Sequence, residues 1–187
     1  MQNCQRDLVH DWDIISKKAR NGATIMTQES SGNSTPAPKK LIPFLCYAKE
    51  NQVIVREFSQ RLKSEGWIDP WFDEEDILPG QVWQDSVVHA VRQSHAVIVF
   101  LSKEAVASEG FFQKELKLAL DTAAEKPEGT IFIIPIRIDH CEVPEMLAKY
   151  QYVDYFGDDE QKIRVYNSLI ASLRNRAENL NILLNPE

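Results

Sequence analysis

The sequence predicts an α/β fold, namely a doubly wound, five-stranded parallel sheet of strand order 2-1-3-4-5 with helices on both faces. Five short apolar runs alternate along the chain with segments of helical periodicity, the pattern of strands joined by right-handed helical crossovers. Pro70 lies inside the second run and cannot donate a ladder hydrogen bond, so this strand belongs at a sheet edge. Among doubly wound orders, 2-1-3-4-5 places the second strand there.

The composition is typical of one globular domain with tails. The chain has 187 residues, of which 43% are hydrophobic and 26% are charged. A net charge of −7 argues against a general nucleic-acid-binding surface, and no stretch approaches the ~20 apolar residues of a membrane span. We therefore expect a cytoplasmic protein that binds neither nucleic acid nor membranes directly. Three widely spaced cysteines, Cys4, Cys46 and Cys141, fit reduced thiols.

Residues 1–40 are expected to form an N-terminal tail. Leu8, Trp12 and Ile15 recur at helical spacing, which predicts a short amphipathic helix over about Asp7–Arg20. The stretch from Thr27 to Lys40 is polar, rich in Ser and Pro and without periodicity, as in a flexible linker. The globular domain is then expected at 41–180, and a C-terminal tail at 181–187.

The first half of the domain is expected to supply two strands and two helices. Asn51 is a candidate N-cap for the first helix, and Gly66 is well placed just after its end. In chain order we expect a strand at Leu41–Tyr47, a helix from Asn51, a strand at Trp67–Asp73, an acidic loop at Glu74–Gly80, and a helix with Trp83, Val87, Ala90 and Val91 on its apolar stripe.

The second half is expected to supply three strands and two long helices. Pro135 is awkward for an interior strand and indicates a bulge or an early exit from the ladder. Asp139-His140-Cys141 is interpreted as a polar turn and not as a metal site, because no second cluster of ligands completes it. In order we expect a strand at Ala96–Ser102, a small-residue loop and a helix to Leu120, a strand at Thr130–Ile138, one or two helical turns at Pro144–Tyr150, a strand at Gln151–Phe156 and a final helix over Ile163–Ala177.

Glu115 stands out on the helix after the third strand. Phe111, Phe112, Leu116, Leu118, Ala119 and Ala123 share one broad arc of that helix, and Gln113, Lys114, Lys117 and Asp121 lie opposite. Glu115 falls inside the apolar arc, where a carboxylate loses hydration. It is either a half-buried residue paired with a Lys or a backbone N–H, or the wall of a cleft that a ligand occupies.

The predicted strand order places Glu115 near a crevice. In doubly wound sheets the ligand site lies beyond the carboxyl ends of the strands at which the order reverses, here strands one and three. Strand one leads into Tyr47-Ala48-Lys49, and strand three leads into the helix that carries Glu115. This placement favours a functional role for Glu115.

Several other site types lack their signatures. The sequence has no G-x-G-x-x-G motif, P-loop or G-x-S-x-G motif after its strands. The acidic run Asp73-Glu-Glu-Asp76 suggests a phospho-acceptor cluster, but the acceptor position at the end of strand three reads Phe100-Leu-Ser-Lys103. We interpret the run as a solvated loop in which Asp73 is the member that faces the crevice.

Three segments, in the same order along the chain, resemble those of a known family. Phe44-Leu-Cys-Tyr47 resembles the first-strand signature F-[IL]-S-Y of Toll/interleukin-1 receptor (TIR) domains. Trp71-Phe-Asp73, with Asp76-Ile-Leu-Pro-Gly80 and Trp83, is similar to their second strand and BB loop. Phe100-Leu-Ser102, Ser108-Glu-Gly-Phe111 and Glu115-Leu116 resemble their third strand and the start of their αC helix. The resemblance spans about Leu41–Leu173 and is closest to bacterial TIR domains of the NAD-cleaving branch.

The resemblance implies a flavodoxin-like domain that cleaves NAD+ at the nicotinamide–ribose bond in a signalling or antiviral defence response, to linear or cyclised ADP-ribose. The catalytic residue of that branch aligns with Glu115, and an aromatic residue one turn earlier matches Phe111. No cofactor is implied, because NAD+ is the substrate, and the implied partner is a second TIR domain in a dimer or filament. The other residues implied to border the substrate are Tyr47, Ala48, Lys49, Asp73, Leu78, Gly80 and Trp83.

The family pattern leaves two classes of function open. Cys46 replaces the usual Ser, and Ala48 lacks the charge that some active members carry. Trp83 either walls the substrate or belongs to the helix–sheet core. The second class is a non-catalytic adaptor, or a protein that interferes with a host's TIR signalling, and the apolar Ile77-Leu78-Pro79 of the BB loop favours it.

Overall fold

A parallel sheet forms the centre of the domain. The computed structural model describes residues 39–107 and 110–182, with all of their side chains except those of Glu74 and Phe111. Within that part, four strands pair in the order β1-β2-β3-β4, and every pair is parallel. The strands are β1 (Pro43–Cys46), β2 (Ala96–Leu101), β3 (Ile133–Arg137) and β4 (Val153–Asp154). The predicted α/β class and parallel sheet are confirmed, but the prediction of five strands is wrong.

The predicted second strand is reduced to two isolated bridges. Ile68 pairs with Leu41 and Trp71 pairs with Phe44, both in parallel. The ladder between the bridges is interrupted at Pro43 of β1, which has no N–H to donate to the Asp69 carbonyl. The hydrogen bonds from this segment to β1 come from Asp69 and Trp71, so the Pro70 nitrogen points away from β1. The backbone N–H of Trp71 donates to the carbonyl of Pro43 at 2.8 Å, so the segment still lies against β1.

Pro135 does not cause the predicted bulge. It lies in regular register opposite Val99 of β2. Backbone groups point to alternate sides along a strand, and the flanking bonds to β2 come from Phe132 and Ile138. Pro135 therefore turns its nitrogen away from β2, toward β4, whose pairing with β3 begins one residue later at Ile136. No hydrogen bond to β2 is lost, whereas on the side of β4 the ladder does not extend to Pro135.

Helices connect the strands and cover both faces of the sheet. Two segments expected to be loops contain short helices, namely the acidic run and the stretch after β2. Gly66 follows the first helix at a φ of +79°, as its predicted position requires. The helices are α1 (Gln52–Ser64), α2 (Asp73–Asp76), α3 (Trp83–Gln93), α4 (Lys103–Ala107), α5 (Phe111–Ala124) and α6 (Asp159–Asn179), with 3-10 turns at Lys49–Asn51 and Glu145–Leu147.

Two apolar layers hold these helices against the sheet. On one face, α1 and α6 pack against alternate sheet residues such as Ile98 and Phe100. On the other face, α3 and α5 pack against Val97, Val99 and Leu101. All six residues of β2 are buried, as expected for a strand covered on both sides.

Some predictions fall on residues outside this description. The predicted helix at Asp7–Arg20, Cys4, most of the linker and residues 183–187 lie outside the described residues. Cys46 and Cys141 are buried free thiols. Among the described residues, no helix combines the length and apolar composition that crossing a membrane requires.

Candidate active site

A cleft of about 510 Å³ opens beyond the carboxyl end of β1. Its walls come from β1 and the turn that follows it, the segment beside β1, and the starts of α2, α3 and α5. This volume lies within the roughly 300–1,000 Å³ usual for small-molecule sites. The lining residues are Phe44, Leu45, Tyr47, Ala48, Lys49, Glu50, Gln52, Trp71, Asp73, Trp83, Phe112 and Glu115.

Glu115 lies in the first turns of α5 and reaches the cleft from the core side of the helix. Its neighbours Leu116 and Ala119 are fully buried against the sheet, so the helix face that carries Glu115 is fixed in place. The Glu115 side chain is itself only 7% exposed. Burial, followed by the negative charge of Asp73, raises the pKa of the Glu115 carboxyl to about 8.

Cys46, the last residue of β1, is fully buried near Glu115. The interaction of its thiol with the Glu115 carboxyl acts to lower the pKa of that carboxyl. Burial and then the charge of Glu115 raise the pKa of the Cys46 thiol well above its ordinary value. The thiol therefore keeps its proton, and Glu115 is the group of the pair that ionises.

Asp73 is held at the cleft by Tyr47. The Tyr47 hydroxyl donates a hydrogen bond to the Asp73 carboxylate, which joins the end of β1 to the start of α2. The Tyr47 ring also contacts Phe72, with ring centroids 5.5 Å apart. Asp73 therefore remains an acceptor near Glu115, fixed by a contact between two separate segments.

Aromatic rings form much of the wall. Phe44 and Trp71 stack with centroids 5.0 Å apart and planes inclined by 13°. Phe112 is 3% exposed, and Trp83 is partly buried against the same apolar layer. Flat apolar surfaces of this kind suit the ring systems of a ligand.

The turn that follows β1 is anchored to the segment after β2. The buried Ser102 hydroxyl donates to the Asn51 side-chain oxygen at 2.8 Å and accepts from the Ala105 backbone N–H at 3.0 Å. Asn51 does precede α1, but its side chain makes this bond and no bond that caps the helix. The anchor positions the turn that carries Lys49 and Glu50.

Six of the residues singled out in the sequence line this cleft, namely Tyr47, Ala48, Lys49, Asp73, Trp83 and Glu115. Leu78 and Gly80 do not line it, and both are exposed. The side chain of Phe111 is outside the described part of the structure, and its neighbour Phe112 lines the cleft.

Sequence reasoning missed several lining residues. Phe44, Leu45 and Trp71 were assigned only to strands, and Glu50 and Gln52 only to the start of a helix. Their signal was present, because residues at the carboxyl end of β1 and at the adjacent edge face the same crevice. The influence of Cys46 on the pKa of Glu115 joins residues far apart in the sequence, and no local pattern indicates it.

The arrangement combines one buried carboxylate, that of Glu115, with aromatic walls and a lysine at the rim. Such a site can stabilise developing positive charge beside a flat ring. Among the described residues, no group of His, Cys, Asp and Glu side chains is arranged to hold a metal ion.

Solved structures with the same fold include two TIR-containing receptors. The TIR domain of the Toll-related receptor TRR-2 from Hydra magnipapillata matches with a TM-score of 0.59 and 25% identity, covering 71% of this chain and 98% of that one. A metazoan TIR-STING receptor from C. gigas matches with a TM-score of 0.56 and 21% identity, covering 70% of this chain and 38% of that one.

A prokaryotic SEFIR domain matches with a TM-score of 0.55 and 12% identity, over 72% of this chain and 92% of that one. No curated protein sequence matches this chain significantly. The family model described as TIR domain matches residues 44–169, from β1 to the middle of α6. The chain therefore belongs to the TIR domain family.

Proposed function

We propose that this TIR domain cleaves NAD+ at the bond between nicotinamide and ribose, with Glu115 as the catalytic carboxylate, and that it belongs to the NAD-cleaving branch of bacterial type. The observation that carries the proposal is the placement of Glu115 at an aromatic cleft of about 510 Å³, where the residue is only 7% exposed. A carboxylate in such surroundings interacts strongly with positive charge because little water screens it.

One carboxylate is sufficient for this reaction. The nicotinamide ring of NAD+ is a cationic pyridinium, so the C–N bond breaks with its electron pair going to nitrogen and nicotinamide leaves neutral. No acid is needed to protonate it, unlike the leaving group of most glycosides. Glu115 would stabilise the oxocarbenium-like ribosyl carbon until water, or an atom of the adenine in a cyclase, forms the new bond and releases a proton.

The rest of the cleft suits the same substrate. Trp71, Phe44 and Phe112 offer apolar surfaces for the two ring systems of a dinucleotide. Lys49 is exposed at the rim, where its ammonium group would face the diphosphate. No cofactor takes part in this proposal.

The reaction requires Glu115 in its ionised form. With a pKa of about 8, Glu115 is mainly protonated at neutral pH before substrate binds. A bound pyridinium places a positive charge beside the carboxyl group and favours its ionisation. Binding of NAD+ would therefore generate the active form of the site.

The proposal is tested by following nicotinamide release from NAD+ over a series of protein concentrations, since we further propose activation by self-association. Wild-type protein is expected to release nicotinamide, with activity per molecule rising as the protein assembles. Glu115→Gln is expected to lose at least about 100-fold in kcat, the size usual for a removed electrostatic contact. Glu128→Gln, an exposed change of the same kind, should retain full activity.

Two outcomes would reject the enzymatic proposal. One is the absence of turnover in samples shown by light scattering to be assembled. The other is turnover by Glu115→Gln equal to that of the wild type in a protein with an unchanged circular dichroism spectrum.

A second candidate function is a non-catalytic adaptor, or a protein that interferes with a host's TIR signalling. The observation that favours it is the exposure of two apolar residues in the loop between α2 and α3, where Leu78 is 48% exposed and Val82 is 63% exposed. Apolar side chains at such exposure suit a docking surface for another TIR domain, provided the interface buries on the order of 1,000 Å².

This candidate predicts that Leu78→Asp abolishes TIR–TIR association, measured by sedimentation, while the fold and thermal stability stay unchanged. Pro79→His and Gly80→Asp test the same loop, although Gly80 has a φ of +91° and its replacement also strains the backbone. Association unaffected by all three changes would count against the adaptor function.

A further inference from the structure

We propose that Asn51 is a positioning residue, which together with Ser102 holds the turn after β1 in the place where it presents Lys49 to the diphosphate of NAD+, and so sets the affinity for this substrate. The inference deepens the proposed function and rests on it for the identity of the substrate. Binding can be measured without turnover, so the two proposals can fail separately.

Asn51 points away from the cleft, unlike its neighbours in the turn. Four of the five residues from Ala48 to Gln52 line the cleft, and the exception is Asn51. Its side-chain oxygen instead accepts a hydrogen bond from the Ser102 hydroxyl at 2.8 Å. Ser102 is fully buried and does not line the cleft either. The pair can therefore affect a ligand in the cleft only through the turn.

The bond to Ser102 takes the place of a helix cap. Asn51 immediately precedes α1, where an asparagine side chain ordinarily accepts from a backbone N–H of the first helical turn. Its backbone, with a φ of −95° and a ψ of 5°, is not in the extended conformation usual for a cap residue, and it makes no such bond. The side chain instead connects two segments that are 51 residues apart.

Ser102 is itself held in place from two sides. Its hydroxyl oxygen accepts from the Ala105 backbone N–H at 3.0 Å at the start of α4, which leaves the hydroxyl proton for Asn51. The backbone N–H of the next residue, Lys103, donates to the Asp139 carboxylate, with its nitrogen 3.1 and 3.2 Å from the two oxygens. Because Asp139 follows β3, Ser102 offers the turn a donor fixed to the neighbouring strand connections.

The internal bonds of the turn do not supply such an attachment. The Asn51 N–H donates to the Ala48 carbonyl at 2.8 Å, and the Gln52 N–H donates to the Lys49 carbonyl. Both bonds lie within the turn, so they fix its shape but not its position over the sheet. The bond from Ser102 joins the turn to the connection after β2.

The position of Lys49 matters because the rest of the cleft is acidic. Among the described residues, Lys49 is the only basic one that lines the cleft, whereas Glu50, Asp73 and Glu115 are acidic. The acidic groups repel a diphosphate, and the Lys49 ammonium attracts it. A turn that moves away from the cleft would take this attraction with it.

The turn should affect binding and not bond cleavage. The charge of the diphosphate does not change when nicotinamide leaves, so its contact with Lys49 stabilises the bound substrate and the transition state equally. Glu115 lies on a different element, α5, which is fixed by the burial of Leu116 and Ala119. Loss of the Asn51–Ser102 bond is therefore expected to weaken binding and leave the chemical step unchanged.

The direct test is an NMR titration of the full-length Glu115→Gln protein with NAD+, since this variant binds substrate without the catalytic carboxylate. Adding Asn51→Ala is expected to raise the Kd for NAD+ by roughly three- to tenfold, the fold-change that corresponds to one neutral hydrogen bond. Adding Lys49→Ala should raise the Kd at least as much. Asn51→Ala should then have no further effect, because the turn acts through Lys49.

The kinetic test uses the protein with Glu115 intact. Asn51→Ala is expected to raise KM by roughly three- to tenfold without changing kcat. Ser102→Ala should raise KM to the same value, and the double variant should raise it no further, since each change removes the same bond. A general loss of folded protein would instead lower the apparent kcat.

Ser94→Ala is the matched control for Ser102→Ala. Ser94 is a buried serine at the opposite, amino end of β2, and its hydroxyl donates to the Val91 carbonyl at 2.8 Å. Its replacement should lower thermal stability and leave KM unchanged. An unchanged Kd in Asn51→Ala, or a lower kcat with an unchanged KM, would overturn the positioning role. A raised Kd in a protein without turnover would support it and reject only the catalytic function.

Discussion

The hydroxyl of Tyr47 donates a hydrogen bond to the carboxylate of Asp73, and so holds a negative charge beside the buried Glu115. Asp73 lies at the start of α2, which leads into the exposed loop carrying Leu78. The protonation of Glu115 therefore depends on where this short helix sits, which links the cleft to the loop.

Asp73→Asn is expected to lower the titration midpoint of Glu115, because it removes the like charge that opposes ionisation. The shift should be roughly one pH unit, observed by ¹³C NMR of the carboxyl carbon. Asp69→Asn, an exposed change of the same kind, should leave the midpoint unchanged. A wild-type midpoint in Asp73→Asn would show that the two carboxylates do not interact.

The raised pKa of Glu115 predicts a stability difference that grows with pH. In the unfolded chain this carboxyl titrates near 4.3, whereas in the fold it titrates at about 8. Between these values the native state holds a proton that the unfolded state has released, so stability falls as pH rises. The free energy of unfolding should fall by up to roughly 1.4 kcal/mol per pH unit in this window relative to Glu115→Gln.

Thermal unfolding of both proteins from pH 5 to pH 9 measures this effect. The Tm of Glu115→Gln should exceed that of the wild type by an amount that increases up to about pH 8 and is then constant. Glu128→Gln provides the control, because an exposed glutamate should show no trend with pH. A constant difference between Glu115→Gln and wild type would contradict a buried, protonated Glu115.

Much of the fold could be predicted because buried strands and helix faces require apolar residues in regular patterns over whole segments. The run Ala96–Leu101 is too short for an ordinary helix and uniformly apolar, so only a buried strand accounts for it. The arc of α5 was equally informative, since Phe112, Leu116 and Ala119 all face the core. The predictions for these elements depended on period, length and, for the strand, its β-branched residues.

The predictions that failed concern local and long-range contacts, which the hydrophobic periodicity of the sequence does not reveal. The run Asp73–Asp76 has no apolar periodicity, yet it forms a helical turn in which the Asp76 carboxylate accepts from the Phe72 N–H at 2.7 Å. The strand expected around Pro70 is reduced to bridges because its neighbour in β1, Pro43, has no N–H to donate to it. The environment of Glu115 depends on Cys46 and Asp73, whose proximity arises only when β1, α2 and α5 come together.

The environment of His95 leads us to expect a loss of stability in mild acid. Its Nδ1 accepts a hydrogen bond from the Ile42 N–H at 2.8 Å, and burial, Arg176 and Lys126 lower its pKa. The unfolded chain therefore binds a proton at higher pH than the native state does, and stability falls as pH decreases below about 6.5.

The test for His95 is urea unfolding at pH 7.5 and pH 5. Asn at this position keeps an acceptor near the place of Nδ1 and does not titrate. The urea midpoint of the wild type should therefore fall between the two pH values by more than that of His95→Asn. His89→Asn, at an exposed site on α3, should behave like the wild type. Equal losses in wild type and His95→Asn would remove His95 as the cause.

Two buried serines predict opposite effects of the same substitution. The Ser102 hydroxyl donates to Asn51 and accepts from the Ala105 N–H, so Ser102→Ala leaves both groups without this partner and should destabilise the domain by roughly 1–3 kcal/mol. The Ser59 hydroxyl is buried without a hydrogen-bond partner in the described part of the chain, so Ser59→Ala should be neutral or stabilising. Equilibrium urea unfolding of both variants measures the difference in the free energy of unfolding. If Ser59→Ala lowered this free energy as much as Ser102→Ala does, packing and not the hydroxyl hydrogen bonds would determine the effect.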